Sequence, residues 1–169
     1  PRPETTLEGT EHDYQLRLFA LISLGQYEKL RQVVGVGADV NLPDGAGRPP
    51  LLFAVEQGWT DCVEKLLELG ADVNGKDRLG NTALHIAARE ASADMTLLLL
   101  RSGAGTEAQV DVDAQSFAGR TPLHQAAAAG CVPVVELLCE AGCTLDTEVV
   151  APGTQDHDKT AQQLAEARS

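Results

Sequence analysis

The sequence predicts an all-α solenoid: a row of stacked helix-turn-helix units in place of one globular core. Three observations predict it. The phrase Gly80-Asn81-Thr82-Ala83-Leu84-His85-Ile86-Ala87-Ala88 returns almost unchanged as Gly119-Arg120-Thr121-Pro122-Leu123-His124-Gln125-Ala126-Ala127, with worn copies at Gly47–Val55 and Lys159–Ala165. A second phrase, Gly37-Ala38-Asp39-Val40-Asn41, returns as Gly70-Ala71-Asp72-Val73-Asn74 and begins again at Gly103-Ala104. The period is fixed, since Gly37 to Gly70, Gly70 to Gly103 and Gly47 to Gly80 are each 33 residues. Self-similarity at this spacing means supersecondary units that each bury a face against their neighbours.

The elements follow in order. Residues 1–10 are polar, hold two prolines and show no periodicity, so a mobile leader is expected. Leu16, Phe19, Ala20 and Leu24 then recur at helical spacing as the expected core stripe, and Gly25 stops that helix. Tyr27, Leu30, Val33 and Val34 give a second stripe that Gly37 ends, completing a first repeat over about 11–43. The second, about 44–76, has helices over Pro50–Gln57 and about Asp61–Leu69, with Gly58 as the turn and Gly70 as a left-handed cap. The third covers about 77–115 and the fourth about 116–154, and a terminal half-repeat at 155–169 closes the stack with a polar helix.

Local chemistry supports these boundaries. Thr82 and Thr121 stand where a hydroxyl can accept from the free N–H groups of a helix start. Pro122 takes the first helical position, where its missing N–H costs nothing. Repeat two carries Pro49 in place of the threonine and must do without that cap. Pro133 is tolerable only in the first turn of its helix. The spacing breaks twice: Gly103 to Gly119 and Gly142 to Asp158 are 16 residues, against 10 for Gly37 to Gly47. Six extra residues are therefore expected in each of the last two connections, around Glu107–Val112 and Thr147–Gln155.

Composition narrows the function. A formal net charge of −12 argues against nucleic acid as a partner and against anionic membranes. Cys62, Cys131, Cys139 and Cys143 do not form a disulfide framework, three of them lying within one helix and its flanks, and are expected as thiols in a reducing compartment, cytoplasmic or nuclear. No signal-peptide pattern or bilayer-spanning apolar run is present in the sequence. The chain begins at Pro1, as an excised piece of a longer protein would.

The repeated phrases resemble those of the ankyrin-repeat family. Gly-x-Thr-Pro-Leu-His-x-Ala-Ala is whole at Gly119–Ala127 and has one change, Ala83 for proline, at Gly80–Ala88. Departures are Leu52 in place of histidine, Ala91 in place of glycine, Pro133 and the two insertions. The resemblance spans about Glu11 to Arg168. It implies about four repeats and a terminal half-repeat with β-hairpin-like finger loops, no catalytic machinery, no cofactor, and binding of another protein along the fingers and inner helices.

On that alignment Arg48, Lys76, Arg78, Leu79, Asn81, Phe117 and Arg120 lie on or beside the finger tips, and Glu56, Gln57, Arg89 and Glu90 end the inner helices on the same side. They are the candidate partner-binding residues. Leu79 and Phe117 are apolar where the fold needs nothing apolar, and arginine and aromatic residues are over-represented at binding hot spots. The basic residues among them hint at carboxylates on the partner. Trp59 is expected to pack on a neighbouring repeat.

Other constellations dissolve on inspection. His85 and His124 belong to the repeated phrase, where a neutral imidazole can tie adjacent repeats. The triplets Glu11-His12-Asp13 and Asp156-His157-Asp158 place a histidine between acids, but adjacent side chains rarely chelate together. Gly35-Val36-Gly37 lacks the third glycine of a dinucleotide loop. Cys139 and Cys143 have no second pair for zinc. No nucleophile, base and oxyanion donors converge, so no enzyme is expected. The expected function is a protein-interaction module, adaptor or scaffold, monomeric on its own. An alternative comes from Val112–Gly119, whose wording resembles a late finger of NF-kappa-B-type inhibitors and would make the partner a transcription factor. A plain spacer is the third reading.

Overall fold

The computed structural model describes residues 10–102 and 109–144. Helix α1 (Glu11–Ser23) is followed by a single 3-10 turn, Tyr27–Lys29, that runs into α2 (Leu30–Gly35). Then come α3 (Pro50–Gln57), α4 (Thr60–Glu68), α5 (Ala83–Arg89), α6 (Ala93–Ser102), α7 (Pro122–Ala129) and α8 (Val132–Glu140). No strand occurs among the described residues. The odd-numbered helices form one layer, α1 against α3, α3 against α5 and α5 against α7; α2, α4, α6 and α8 form the other. Each unit therefore buries its apolar face only against its neighbours, as the period requires.

Small residues allow the inner layer to pack closely. In α5 every residue from Ala83 to Ala88 is buried, because this helix is covered on both sides, by α3 and α7, as well as by its own partner α6. Leu51, Leu52, Leu66, Leu84, Ile86 and Leu99 are completely or almost completely enclosed.

Helix ends follow the punctuation. Thr10 caps α1 reciprocally with Asp13: the hydroxyl accepts from the Asp13 amide at 3.3 Å, and the carboxylate accepts from the Thr10 amide at 3.0 Å. Thr10 thus belongs to the first helix, while residues 1–9 lie outside the described residues. Pro49 leaves α3 without a side-chain cap. Pro133 does fall in the first turn of α8. At the outer-helix ends the chain reverses through a left-handed glycine. The amide of Gly70 bonds to the Leu67 carbonyl and that of Ala71 to the Leu66 carbonyl, and Gly37–Ala38 and Gly142–Cys143 repeat the pattern.

Two expectations are corrected. The buried face of α1 is Gln15, Leu18, Leu21 and Ile22; Leu16, Ala20 and Leu24 are exposed and Phe19 is only half-buried. The periodic stripe was real but rotated, because polar Gln15 is spent on the core side. Its amide donates to the Asp39 and Leu42 carbonyls and accepts from the Asp39 amide.

The insertion is also displaced. Asn41 donates to the Gly70 carbonyl and accepts from the Asp72 amide; Asn74 does the same to Gln109 and Asp111 at 2.9 Å each. Gln109 therefore stands where Gly70 stands one repeat earlier, so Gln109–Val112 belong to the finger register and the extra residues precede them; Glu107 lies outside the described residues. The ladder continues at Asp113, which cannot donate; there the Thr144 amide and hydroxyl both donate to its carboxylate, at 2.8 and 2.6 Å. The second insertion, around Thr147–Gln155, and the terminal half-repeat lie outside the described residues.

Candidate functional site

The fingers are built by short acceptors at their bases. The Asp44 carboxylate takes the amides of Ala46 and Arg48, and Asp77 takes those of Leu79 and Asn81. Ser116 performs the task with a hydroxyl that accepts from the Arg120 amide. In each tip the first residue and the fourth close the turn, through Gly47, Gly80 and Gly119 in left-handed conformation. Burial alone would raise the Asp44 carboxyl, but the Arg48 amide and guanidinium and the Ala46 amide more than reverse this and hold it below the ordinary range.

Neighbouring tips are tied to one another. The Phe117 amide donates to the Leu79 carbonyl at 2.9 Å. The Arg78 guanidinium donates to the Gly45 carbonyl at 2.7 Å, and Lys76 Nζ to the Gln115 carbonyl at 3.1 Å. His85 adds a deeper tie. Its Nδ1 accepts the Thr82 amide proton at 3.2 Å, so the ring proton sits on Nε2, which donates to the Arg120 carbonyl at 2.8 Å. Burial holds the His85 pKa below its ordinary value, and so keeps the ring neutral, as this arrangement needs. His124 repeats the local half of the motif, accepting the Thr121 amide at 3.3 Å. Both histidines therefore serve the fold.

The candidate residues divide in three. Asn81 is only 8% exposed; its amide holds the Asp77 carboxylate at 3.0 Å, so it braces the finger and presents little to a partner. Arg48 and Glu56 are paired to each other at 2.9 Å, with Asp44 on the other side of the guanidinium at 2.8 Å, and Lys76 and Arg78 bridge fingers. Arg120 is half-buried and lends its backbone to His85 and Ser116. Gln57, Leu79, Arg89, Glu90 and Phe117 are exposed and, unlike the likewise exposed Lys76 and Arg78, their side chains bridge no fingers. Arg89 and Glu90 touch at 3.1 Å, an exposed pair of little energetic weight.

Leu79 and Phe117 are 66% and 76% exposed, and the backbone bond between them sets the two side chains on adjacent tips. A second apolar group went unnoticed in the sequence. Leu16, Phe19, Leu42 and Phe53 line a groove of about 330 Å³ between α1 and the first finger. Its Phe19 and Phe53 rings meet edge to face at 5.6 Å, and the Arg48 guanidinium lies 4.8 Å from the Phe53 centroid. The signal was present: Leu16 is one residue out of phase with the buried face. Trp59 lies over Gly25 of the first repeat, a packing contact between repeats as expected.

The family model for ankyrin repeats in three copies matches residues 18–111, and the single-repeat model matches 118–148. The chain belongs to the ankyrin-repeat family. The two matches part at 112–117, within the finger entry whose hydrogen bonds keep the ankyrin register. No curated protein matches the chain. Ankyrin repeats are generally modules of protein–protein interaction and form a non-catalytic family. Among the described residues of this ankyrin stack, no three His, Cys, Asp or Glu side chains come together as a metal site, and no helix is long and apolar enough to cross a membrane.

Proposed function

We propose that this ankyrin stack is an adaptor or scaffold module that grips another protein across its finger tips and the adjoining ends of its inner helices. One observation carries the reading: Leu79 and Phe117, large apolar side chains on adjacent tips, both stand in water while a backbone bond ties their fingers together. Exposed apolar groups on a braced frame lose little freedom when a partner covers them, so modest contacts give useful affinity. Arg89, Glu90 and Gln57 supply the polar rim. The net charge of −12 favours a protein partner over nucleic acid or an anionic membrane. The four free thiols suit a reducing compartment, cytoplasmic or nuclear.

The inhibitor-like reading rests on Val112–Gly119 alone. In the fold those residues make an ordinary finger, with Ser116 doing the work of Asp44 and Asp77, so nothing there favours a transcription factor over other partners. The test is a pull-down from lysate with the wild type and with Leu79→Ala, Arg89→Glu, Phe117→Ala combined. The triple variant should keep its melting temperature and lose the partner; equal recovery by both forms would reject this face.

A further inference from the structure

Cys139 and Cys143 are not explained by the fold or by the proposed binding face. Cys143 follows Gly142 at the position that Ala38 and Ala71 occupy after Gly37 and Gly70, where it packs into the core although alanine serves the other repeats. Cys139 corresponds to Val34 and Leu67, half-buried aliphatic residues, yet is itself exposed. The reversal through left-handed Gly142, closed by the Cys143 amide on the Leu138 carbonyl, folds Cys143 back over the helix end. That brings its sulfur to 3.9 Å from Cys139 Sγ, one thiol open to water and the other enclosed beneath it.

We propose that Cys139 and Cys143 form an oxidation site, an exposed thiol with a buried resolving partner, that closes to an intramolecular disulfide when the protein meets a peroxide. The steps balance. The Cys139 sulfur attacks one peroxide oxygen and the O–O bond breaks, giving a sulfenic acid at Cys139 and one water. The Cys143 sulfur then attacks the Cys139 sulfur, the S–O bond breaks, and the oxygen leaves with the Cys143 proton as a second water. Two thiols are oxidised and one peroxide is reduced.

Closure needs the sulfurs to approach by about 2 Å from the contact already made. Burial and, next, the neighbouring Cys139 push the Cys143 thiol up to about 12, which keeps it protonated and unreactive at rest. Cys62 is buried elsewhere, and Cys131 Sγ points to the Ala91 carbonyl at 3.6 Å, so neither competes as resolving partner.

The test treats the full 169-residue chain with hydrogen peroxide and maps it by tandem mass spectrometry, with dithiothreitol reversal. The expected product is a monomer lighter by about two mass units, with fragmentation suppressed between 139 and 143. Cys143→Ser should instead drive Cys139 on to sulfinic acid, and Cys139→Ser should leave Cys143 unmodified. Wild-type Cys139 accumulating as sulfinic acid while Cys143 stays alkylatable would overturn the proposal. So would intermolecular dimers, or a bond to Cys62 or Cys131. None of these readouts involves the partner, so their failure leaves the binding face untouched.

Discussion

Ala91→Gly should stabilise the protein. Ala91 turns the chain from α5 into α6 at φ +54°, the one left-handed non-glycine among the described residues. Gly25, Gly58 and Gly130 make the same turn elsewhere at +65°, +72° and +70°. The hydrogen bonds are intact at Ala91, whose amide reaches the Ala88 carbonyl at 3.2 Å while Ser92 reaches Ala87 at 3.0 Å. What Ala91 adds is therefore the steric cost of a Cβ in that region, about 1–2 kcal/mol. Glycine gives back about 0.4–1 kcal/mol through its freer unfolded chain. At the middle of these ranges the net gain is about 0.8 kcal/mol, which moves the melting point of a chain of this size up by about 2–3 °C. The reciprocal control is Gly58→Ala, where an added Cβ meets no atom within 4 Å, so the loss should be conformational and of similar size. Urea unfolding followed by circular dichroism, with the slope checked for constancy, measures both. If Ala91→Gly left the midpoint unmoved while Gly58→Ala lowered it, the equivalence of the turns would be refuted.

Other perturbations test the ties between repeats. His85 resists protonation when folded, so the unfolded chain binds more protons below the ordinary histidine value of 6.5. Stability should be full above that pH and decline as pH falls below it towards the folded pKa. His85→Leu, the residue repeat two carries at Leu52, should flatten that decline in urea midpoints measured from pH 7.5 to 5.5. Asn74→Ala removes the bonds to Gln109 and Asp111 and should cost about 1–2 kcal/mol by the same assay. Gly80→Ala should cost about 2–3 kcal/mol and speed amide exchange at Phe117, because a Cβ there would sit 2.7 Å from the Phe117 nitrogen at φ +77°. Gly47→Ala should cost less, since the atoms in its way belong to the flexible Arg78 side chain.

The stack was legible because its signals are local and repeated. Gly58, Gly70, Pro122 and Thr121 each announce a turn or a cap by their own chemistry, and the structure places each one there. The rotation of α1 was hidden because a glutamine on the buried face reads as a solvent residue until its backbone partners at Asp39 and Leu42 are known. The insertion was mislocated for a related reason. Gly103-Ala104 looks like the finger entry, but the ladder from Asn74 selects Gln109 and Asp111, and a hydrogen bond across 35 residues leaves no mark in spacing. At the proposed binding face, position on a finger was readable and availability was not: Asn81 and Arg120 stand on or beside the finger tips and are already engaged by the fold.

That difference changes what kind of partner the proposed face suits. The basic residues of the fingers suggested a carboxylate-bearing ligand. Arg48, however, is balanced by two carboxylates, Asp44 and Glu56, so it offers no net charge. Arg78 and Lys76 keep their charge, but their donors are aimed at the Gly45 and Gln115 carbonyls. An incoming carboxylate can use the remaining N–H donors of either side chain without breaking its bridge, but an exposed ion pair returns little net free energy. Covering Leu79 and Phe117 breaks nothing and removes large apolar side chains from water. The cations thus act first as braces between the fingers, and on the binding face proposed above discrimination between partners falls to the apolar pair.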